Sequence, residues 1–133
     1  MARKQFCAAA SVAILALAGP MTIPADAHHS FAMFDNTKTI TVDATVTRFD
    51  WINPHTWLYI TAMDESGQEI SWGLEGAGTG YMTNAGWKPD TIQPGARVVI
   101  DFHPMKDGTN GGQLLTVTFP DGKEMCSGQG CNN

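Results

Sequence analysis

The sequence predicts an all-β protein, and three observations support this fold class. Apolar residues alternate with Thr and Asp over Thr39–Trp51, which is the period of a half-buried strand. Runs of β-branched and aromatic residues follow, separated by turn signals such as Glu65–Gln68 and Pro94–Gly95. The Gly-rich stretch Ala77–Trp87 has room for a short helix. The body of the chain is therefore expected to be one domain built on a sheet.

The first three strands precede this Gly-rich stretch. Strand one covers Thr39–Trp51, and its alternation breaks around Thr47–Phe49, as a β-bulge or a sharp bend would make it do. Strand two, Thr56–Asp64, and strand three, Glu69–Leu74, flank the Glu65–Gln68 turn and are expected to form a hairpin.

A short helix over Ala77–Ala85 separates these strands from the last two. Strand four covers Ala96–His103, and strand five covers Gln113–Phe119 beyond the Lys106–Gly112 loop. Five strands with a helix between the third and the fourth match the OB-fold, a small Greek-key barrel. A β-sandwich is the competing fold, but it needs about seven strands.

Residues 1–27 have the three parts of a secretory signal peptide. Arg3 and Lys4 supply the positive charge, and Phe6–Ala18 is an apolar run of 13 residues. This run is too short to span a membrane as a helix. Ala25–Ala27 is an A-x-A cleavage site. We therefore expect export to the periplasm or secretion.

Cleavage after Ala27 leaves a mature chain of 106 residues. Its expected parts are an N-terminal arm at 28–38, the barrel domain at 39–122 and a flexible C-terminal tail at 123–133. Loss of Arg3, Lys4 and Asp26 changes the balance from 8 basic and 13 acidic residues to 6 and 12. An acidic domain without a Lys/Arg cluster lacks the electrostatic footprint of a nucleic-acid-binding protein. No membrane insertion is expected after cleavage.

Two cysteines lie near the C-terminus, Cys126 and Cys131, in the sequence C-S-G-Q-G-C. In an oxidising compartment a small-loop disulfide is one interpretation. A soft metal-ligand pair and free thiols in a frayed end are the others, and no function is assigned to this segment.

The histidines are the informative residues for function. Cleavage after Ala27 makes His28 the mature N-terminal residue, followed by His29. A free N-terminal histidine offers its α-amine and an imidazole nitrogen to one metal ion, and a second imidazole would complete a histidine brace. Nitrogen donors in a planar arrangement favour Cu(II), with zinc as the other candidate. The alternative interpretation is that both residues simply follow a cleavage site.

His55 and His103 are the candidates for the second imidazole. His55 lies between strands one and two, after Asn53 and Pro54, which favour a rigid turn. His103 ends strand four, and both loops flank the usual ligand-binding face of an OB-fold. The arm spans at most about 36 Å when extended, so the N-terminus can reach that rim. Otherwise His55 caps a turn and His103 is a partly buried strand histidine.

Other residue types give weaker indications. Met33 and Met105 are close in sequence to histidines and are secondary thioether candidates, whereas methionines are more often core residues. Gly76–Gly80 lacks the context that phosphate binding needs, and no nucleophile motif is present. The tryptophans either pack in the core or form a stacking platform on the barrel face: Trp51, Trp57, Trp72 and Trp87.

Three pieces of the sequence carry a family resemblance. They are Ala27–Phe31 with Phe34–Asp35, then Phe49–His55, and Pro94–Gly95 leading to His103–Pro104. On these pieces the chain resembles a family of small exported bacterial proteins of unknown function, over roughly residues 27–120. The resemblance implies export, a mature HHSF N-terminus, a WINPH motif and a small β-barrel, and it implies no activity.

These observations predict a periplasmic metal-binding protein, with copper first, that works as a chaperone or scavenger. The expected ligands are His28, His29, His55 and His103. The opposing prediction is a metal-free OB-type module that contacts a protein partner or a small ligand through a Trp-rich face. A mono-copper oxidative enzyme is a third prediction, although a barrel of 106 residues offers little surface for a polymeric substrate.

Overall fold

The computed structural model describes residues 31–128. The predicted signal peptide at 1–27, His28, His29 and Cys131 lie outside this range. The elements in chain order are a 3₁₀ turn at Phe31–Met33, β1 (Ile40–Asp50), β2 (Trp57–Met63), β3 (Glu69–Glu75), α1 (Thr79–Asn84), β4 (Arg97–Pro104), β5 (Gly111–Thr118) and β6 (Glu124–Cys126).

Five of the strands form a closed barrel. β1 pairs antiparallel with β2 and β4, β2 pairs with β3, and β4 pairs with β5. A parallel pairing between Gly73–Glu75 of β3 and Gly111–Gln113 of β5 closes the ring. This closed ring, with α1 between its third and fourth strands, confirms the predicted OB-like barrel.

The irregularity predicted in strand one is present. The register of β1 against β2 shifts between Val46 and Arg48, so one residue of β1 has no ladder partner there. The N-terminal half of β1 pairs with β4, and its C-terminal half pairs with β2. The bent first strand thus pairs with two neighbouring strands. It ends at Asp50, where the loop that contains His55 begins.

The C-terminal segment differs from the prediction of a flexible tail from residue 123. Glu124–Cys126 form β6, which pairs with Thr116–Thr118 of β5 outside the ring. The indole N–H of Trp87 donates to the carbonyl of Cys126 at 2.8 Å. Cys126 is also disulfide-bonded, and its partner lies outside the described residues.

The core fills the inside of the barrel, where alternate residues of each strand meet. Met82 of α1 and Trp87, which follows it, belong to the same cluster and are buried almost completely. The largest fully buried strand residues are Leu58, Ile60, Leu74, Ile100, Phe102 and Leu114. Among residues 31–128, no helix has the length and apolar character needed to cross a membrane.

Candidate functional site

The loop that carries His55 is fixed against the segment after β3. The backbone N–H and the hydroxyl of Thr56 both donate to the carbonyl of Ala77, at 3.0 and 2.9 Å. The N–H of Gly76 donates in turn to the carbonyl of Thr56 at 2.8 Å. Thr56 is fully buried. We call Trp51–Thr56 the histidine loop, and these bonds fix the position of His55 within it.

Two glycines allow this close approach. A Cβ atom at Gly76 would collide with the hydroxyl of Thr56, and one at Gly78 would lie 2.8 Å from the carbonyl oxygen of Pro54. At a separation below 3.0 Å the neighbouring atom must shift, and at Gly78 that atom belongs to the backbone. The glycines after β3 therefore serve packing against the histidine loop.

Asn53 ties the histidine loop to the first turn of α1. Its side-chain oxygen accepts hydrogen bonds from the N–H and the hydroxyl of Thr79, at 3.1 and 2.9 Å. Gly78, the residue before the helix, provides no side chain for this purpose. Asn53, from another part of the chain, therefore takes the role that the side chain of a local N-cap residue usually has.

His55 faces a carboxylate. Its Nδ1 atom lies 3.0 Å from Oε1 of Glu75 and 3.2 Å from the carbonyl oxygen of Gly76. With the proton on Nδ1, the ring donates toward these oxygens, and the lone pair resides on Nε2. Histidines that bind metals commonly donate their other ring N–H to a carboxylate or a carbonyl. This arrangement is therefore the one expected for an Nε2 metal ligand.

Glu75 is the residue that sequence reasoning misses. The predicted third strand ends at Leu74, whereas β3 continues through Glu75. Strand alternation places Leu74 in the core and Glu75 outside, yet Glu75 is only 9% exposed. The one signal in the sequence is an acidic residue at the end of an apolar strand, directly before Gly76.

His103 lies on the outer side of the same barrel wall, two strands away from Glu75. Its ladder partner on β5 is Gln113, which pairs in turn with Glu75 on β3. Because neighbouring strands are about 4.8 Å apart, the Cα atoms of His103 and Glu75 are about 10 Å apart. The Nδ1 atom of His103 lies 2.6 Å from the carbonyl oxygen of Lys38. His103 therefore contacts the arm.

The arm runs antiparallel along the end of β4. Phe34 forms a β-bridge with Met105, and the N–H of Lys106 donates to the carbonyl of Met33 at 2.9 Å. Phe34 is 4% exposed, so its ring is part of the packed structure. The described end of the arm is thus pinned to the barrel by backbone bonds and by an aromatic side chain.

Asp35 organises the turn that leads from the arm to β1. Its Oδ1 atom accepts bonds from the hydroxyl and the N–H of Thr37 at 2.6 and 3.2 Å, and Oδ2 lies 3.1 Å from Nζ of Lys38. The bond from the Thr37 hydroxyl, followed by that from Lys38, lowers the pKa of Asp35 below its usual value. The charged carboxylate therefore stabilises this turn.

Two pockets adjoin at His55, which lines both of them. The pocket toward α1 has a volume of about 320 Å³. The other, of about 600 Å³, lies toward the loop after β4, and we call it the arm groove. Its walls include apolar residues of the arm, the two loops and β2, namely Met33, Phe34, Ile52, Pro54, Trp57 and Met105.

The structure brings two of the predicted components together. His55 and the described end of the arm share the arm groove, whereas His103 is not among the residues that line it. Within residues 31–128, no three His, Cys, Asp or Glu side chains are grouped so as to hold a metal ion. A site built on His55 therefore needs donors of another type or from another part of the chain.

The tryptophans do not form the platform that their number suggests. Trp87 is buried, and Trp51 and Trp72 pack against the core. Trp57 alone among the four lines the arm groove, and its ring stacks on Tyr59 with the centroids 6.3 Å apart. The barrel face therefore presents one tryptophan to this groove.

Comparison with known proteins places the chain in a family. No curated protein and no solved structure matches it at a significant level. The model of DUF6152, described as a family of unknown function, matches residues 16–114. This range exceeds half of the chain and contains the arm, the histidine loop, Glu75 and His103. The protein therefore belongs to this family of unknown function.

Proposed function

We propose that this protein is an exported copper-binding protein whose site is built from the mature N-terminus and the histidine loop. The observation that supports it is the docking of the arm, because Met33, Phe34 and His55 line the same groove. His28 precedes Phe31 by three residues, a length that spans at most about 11 Å. Because Met33 already shares a groove with His55, we infer that an N-terminus at His28 can reach His55.

Export would create the site. The segment 1–27 has the composition of a signal peptide, and cleavage at its A-x-A sequence frees the α-amine of His28. An amide nitrogen in an Ala27–His28 bond is a poor donor unless it is deprotonated. Copper capture would thus begin only after the chain has left the cytoplasm.

Each residue has a defined part in this proposal. His28 supplies the α-amine and an imidazole, with His29 as the other terminal imidazole, and His55 supplies Nε2. Glu75 orients the His55 ring through Nδ1. His103 holds the arm through Lys38 and is a positioning residue. Nitrogen donors of these types suit Cu(II), and zinc remains the second candidate metal.

The net negative charge of the mature chain fits this activity. With 6 basic and 12 acidic residues, the mature chain has a net negative charge that favours the approach of cations over that of anions. A small acidic barrel with one ion site at its rim suits the storage or transfer of a metal ion. We therefore assign the protein to metal handling, as a chaperone or scavenger.

The test compares two proteins that differ only at the N-terminus. One begins at His28, and the other carries one additional glycine before it. We expect the glycine to lower the Cu(II) affinity by about 100-fold or more, which corresponds to about 2.7 kcal/mol, because it removes a chelating donor. His55→Ala should also weaken binding. Equal affinities of the two proteins would contradict the proposal.

A metal-free binding module is the second candidate function, and the arm groove itself favours it. Ile52 is 52% exposed at the groove, beside Trp57. Under this function the groove takes an apolar ligand or part of a protein partner. Ile52→Ser should then weaken the binding of an apolar fluorescent probe, whereas Met63→Ser, at a site that is 65% exposed and lies outside the groove, should not. Equal effects of the two changes would exclude the groove as the binding site of the probe.

A further inference from the structure

We propose that the arm groove is a soft-metal site, which holds Cu(I) through the thioethers of Met33 and Met105 together with the imidazole of His55. The inference rests on the proposed function only in assigning His55 to a metal. It goes further because it names a second oxidation state and two ligands that contain sulfur. The site would serve Cu(I) without the α-amine of His28.

Backbone pairing brings the two methionines to one place. Met105 is the bridge partner of Phe34, and Met33 precedes Phe34 and accepts the hydrogen bond of Lys106. Met33 and Met105 are 72 positions apart in sequence, yet both line the groove that His55 lines. The arm therefore places the thioether of Met33 in the groove to which the barrel contributes Met105.

Gly111 makes room for the Met105 side chain. A Cβ atom at Gly111 would lie 3.2 Å from Cγ and 3.9 Å from Sδ of Met105. The Met105 side chain thus packs against Gly111, the first residue of β5, and both residues line the groove. A larger residue at position 111 would take the space that the Met105 side chain occupies.

The methionines within residues 31–128 differ in their surroundings, and Met63 is exposed without lining the groove. Met82 and Met125 are 0% and 5% exposed and belong to the hydrophobic core, as methionines usually do. Met33 is 40% exposed, and both Met33 and Met105 contribute to the groove surface. Both side chains therefore lie at a surface that a ligand can approach, whereas the side chains of Met82 and Met125 are buried.

The chemistry of these donors selects the ion. Thioether sulfur is a soft ligand that favours Cu(I), whereas imidazole binds both oxidation states. The apolar walls of the groove disfavour a bare charge, but Glu75 lies behind His55 and supplies a compensating negative charge. Two neutral sulfur donors and one imidazole, backed by a carboxylate, suit a monovalent cation.

The experiment uses Ag(I), which resembles Cu(I) and does not oxidise in air, and then Cu(I) itself under anaerobic conditions. The variants are Met33→Leu, Met105→Leu and the double variant, because leucine keeps the volume and the apolar character of methionine. Met63→Leu is the matched control, since Met63 is 65% exposed and does not line the groove. Thermal unfolding checks that each variant is folded.

We expect each single change to lower the affinity for Ag(I) and Cu(I) by about tenfold, and the double change by about 100-fold. Met63→Leu should have no effect, and the Cu(II) affinity of all variants should stay unchanged. X-ray absorption of the Cu(I) form should show sulfur neighbours that the double variant lacks. Unchanged Ag(I) and Cu(I) affinities in the folded double variant would overturn the inference.

The glycine extension separates this inference from the proposed function. An additional N-terminal glycine should weaken Cu(II) binding and leave Ag(I) binding intact, because the groove donors do not include the α-amine. If the extension leaves Cu(II) binding unchanged while the methionine changes weaken Ag(I) binding, the brace is wrong and the groove site stands. If the extension weakens Cu(II) binding while the methionine changes leave Ag(I) binding unchanged, the brace stands and the groove site is wrong.

Discussion

The Nδ1 atom of His55 lies 3.0 Å from Oε1 of Glu75, and the Glu75 side chain is 11% exposed. The pair joins the histidine loop to the end of β3, two parts of the chain that are 20 residues apart. A carboxylate in this position fixes the orientation of the ring and makes Nε2 a stronger electron donor. The backbone bonds of Thr56 and the side-chain bonds of Asn53 hold the loop in place independently of this contact.

Replacing Glu75 tests whether it positions His55. Glu75→Gln keeps the shape of the side chain and removes the charge, so we expect a loss of about 10–100-fold in Cu(II) affinity with the fold retained. A competition titration against a chelator of known affinity measures it. Glu69→Gln, at an exposed position of the same strand, is the matched control. Equal losses in both variants would show that total charge matters and the pairing does not.

The glycines near the histidine loop should differ in their tolerance of a side chain. Gly76→Ala forces a Cβ atom into the Thr56 hydroxyl, so we expect a destabilisation of about 1–3 kcal/mol. Gly80→Ala meets no atom within 4 Å and lies in α1, so it should stabilise the protein by about 0.5–1 kcal/mol. Denaturant unfolding gives both values. An unchanged free energy of unfolding for Gly76→Ala would mean that the Thr56 side chain has room to move away from residue 76.

Phe34 should hold the arm to the barrel. Removing a buried Phe ring costs about 3–5 kcal/mol in a core, and we expect Phe34→Ala to lie near the lower end because the arm is peripheral. The amide of Lys106, which donates to Met33, should then exchange its hydrogen faster. The amide of Val46, which donates to Ala96 in the barrel, should keep its rate. Equal acceleration at both amides would indicate global unfolding instead of arm release.

Asp35 should make the stability of the arm depend on pH. Its pKa is lowered in the folded protein, chiefly by the Thr37 hydroxyl, so its contribution is complete above the usual value of 3.8 and is lost as the pH falls through the lowered pKa. Asp35→Asn should therefore be less stable than the wild type near neutral pH, and the difference should vanish in acid. Unfolding measured between about pH 2 and 6 checks this. A difference that persists unchanged at the acid end would rule out the carboxylate as its cause.

The barrel could be predicted from local patterns because its strands carry them. Residues that are neighbours in sequence determine the alternation of β1, the break at its bulge and the turn before β3. The position of α1 follows from a glycine-rich interval between strands. Predicting these features does not require knowing which residues lie on the neighbouring strand, so the local sequence pattern is enough to predict them.

The features that were missed depend on contacts between distant parts of the chain. β6 has three residues and exists because β5 offers it an edge, which no local pattern reveals. Gly111 joins β5 through its pairing with Gly73, although glycines usually indicate a loop. Glu75 is buried only because the histidine loop lies over it. Sequence reasoning identified His55 and its rigid turn, while the separate contact of His103 with Lys38 required the structure.

The pairing between β3 and β5 has a consequence for the proposed metal site. It contains three residue pairs, whereas the other four pairings of the ring contain six or seven. Glu75 is the last residue of this short pairing, opposite Gln113. Local opening of a small cooperative unit requires less free energy than global unfolding. For the ion proposed to bind at His55, we therefore expect the rate at which β3 separates from β5 to limit its release, while the rest of the barrel stays folded.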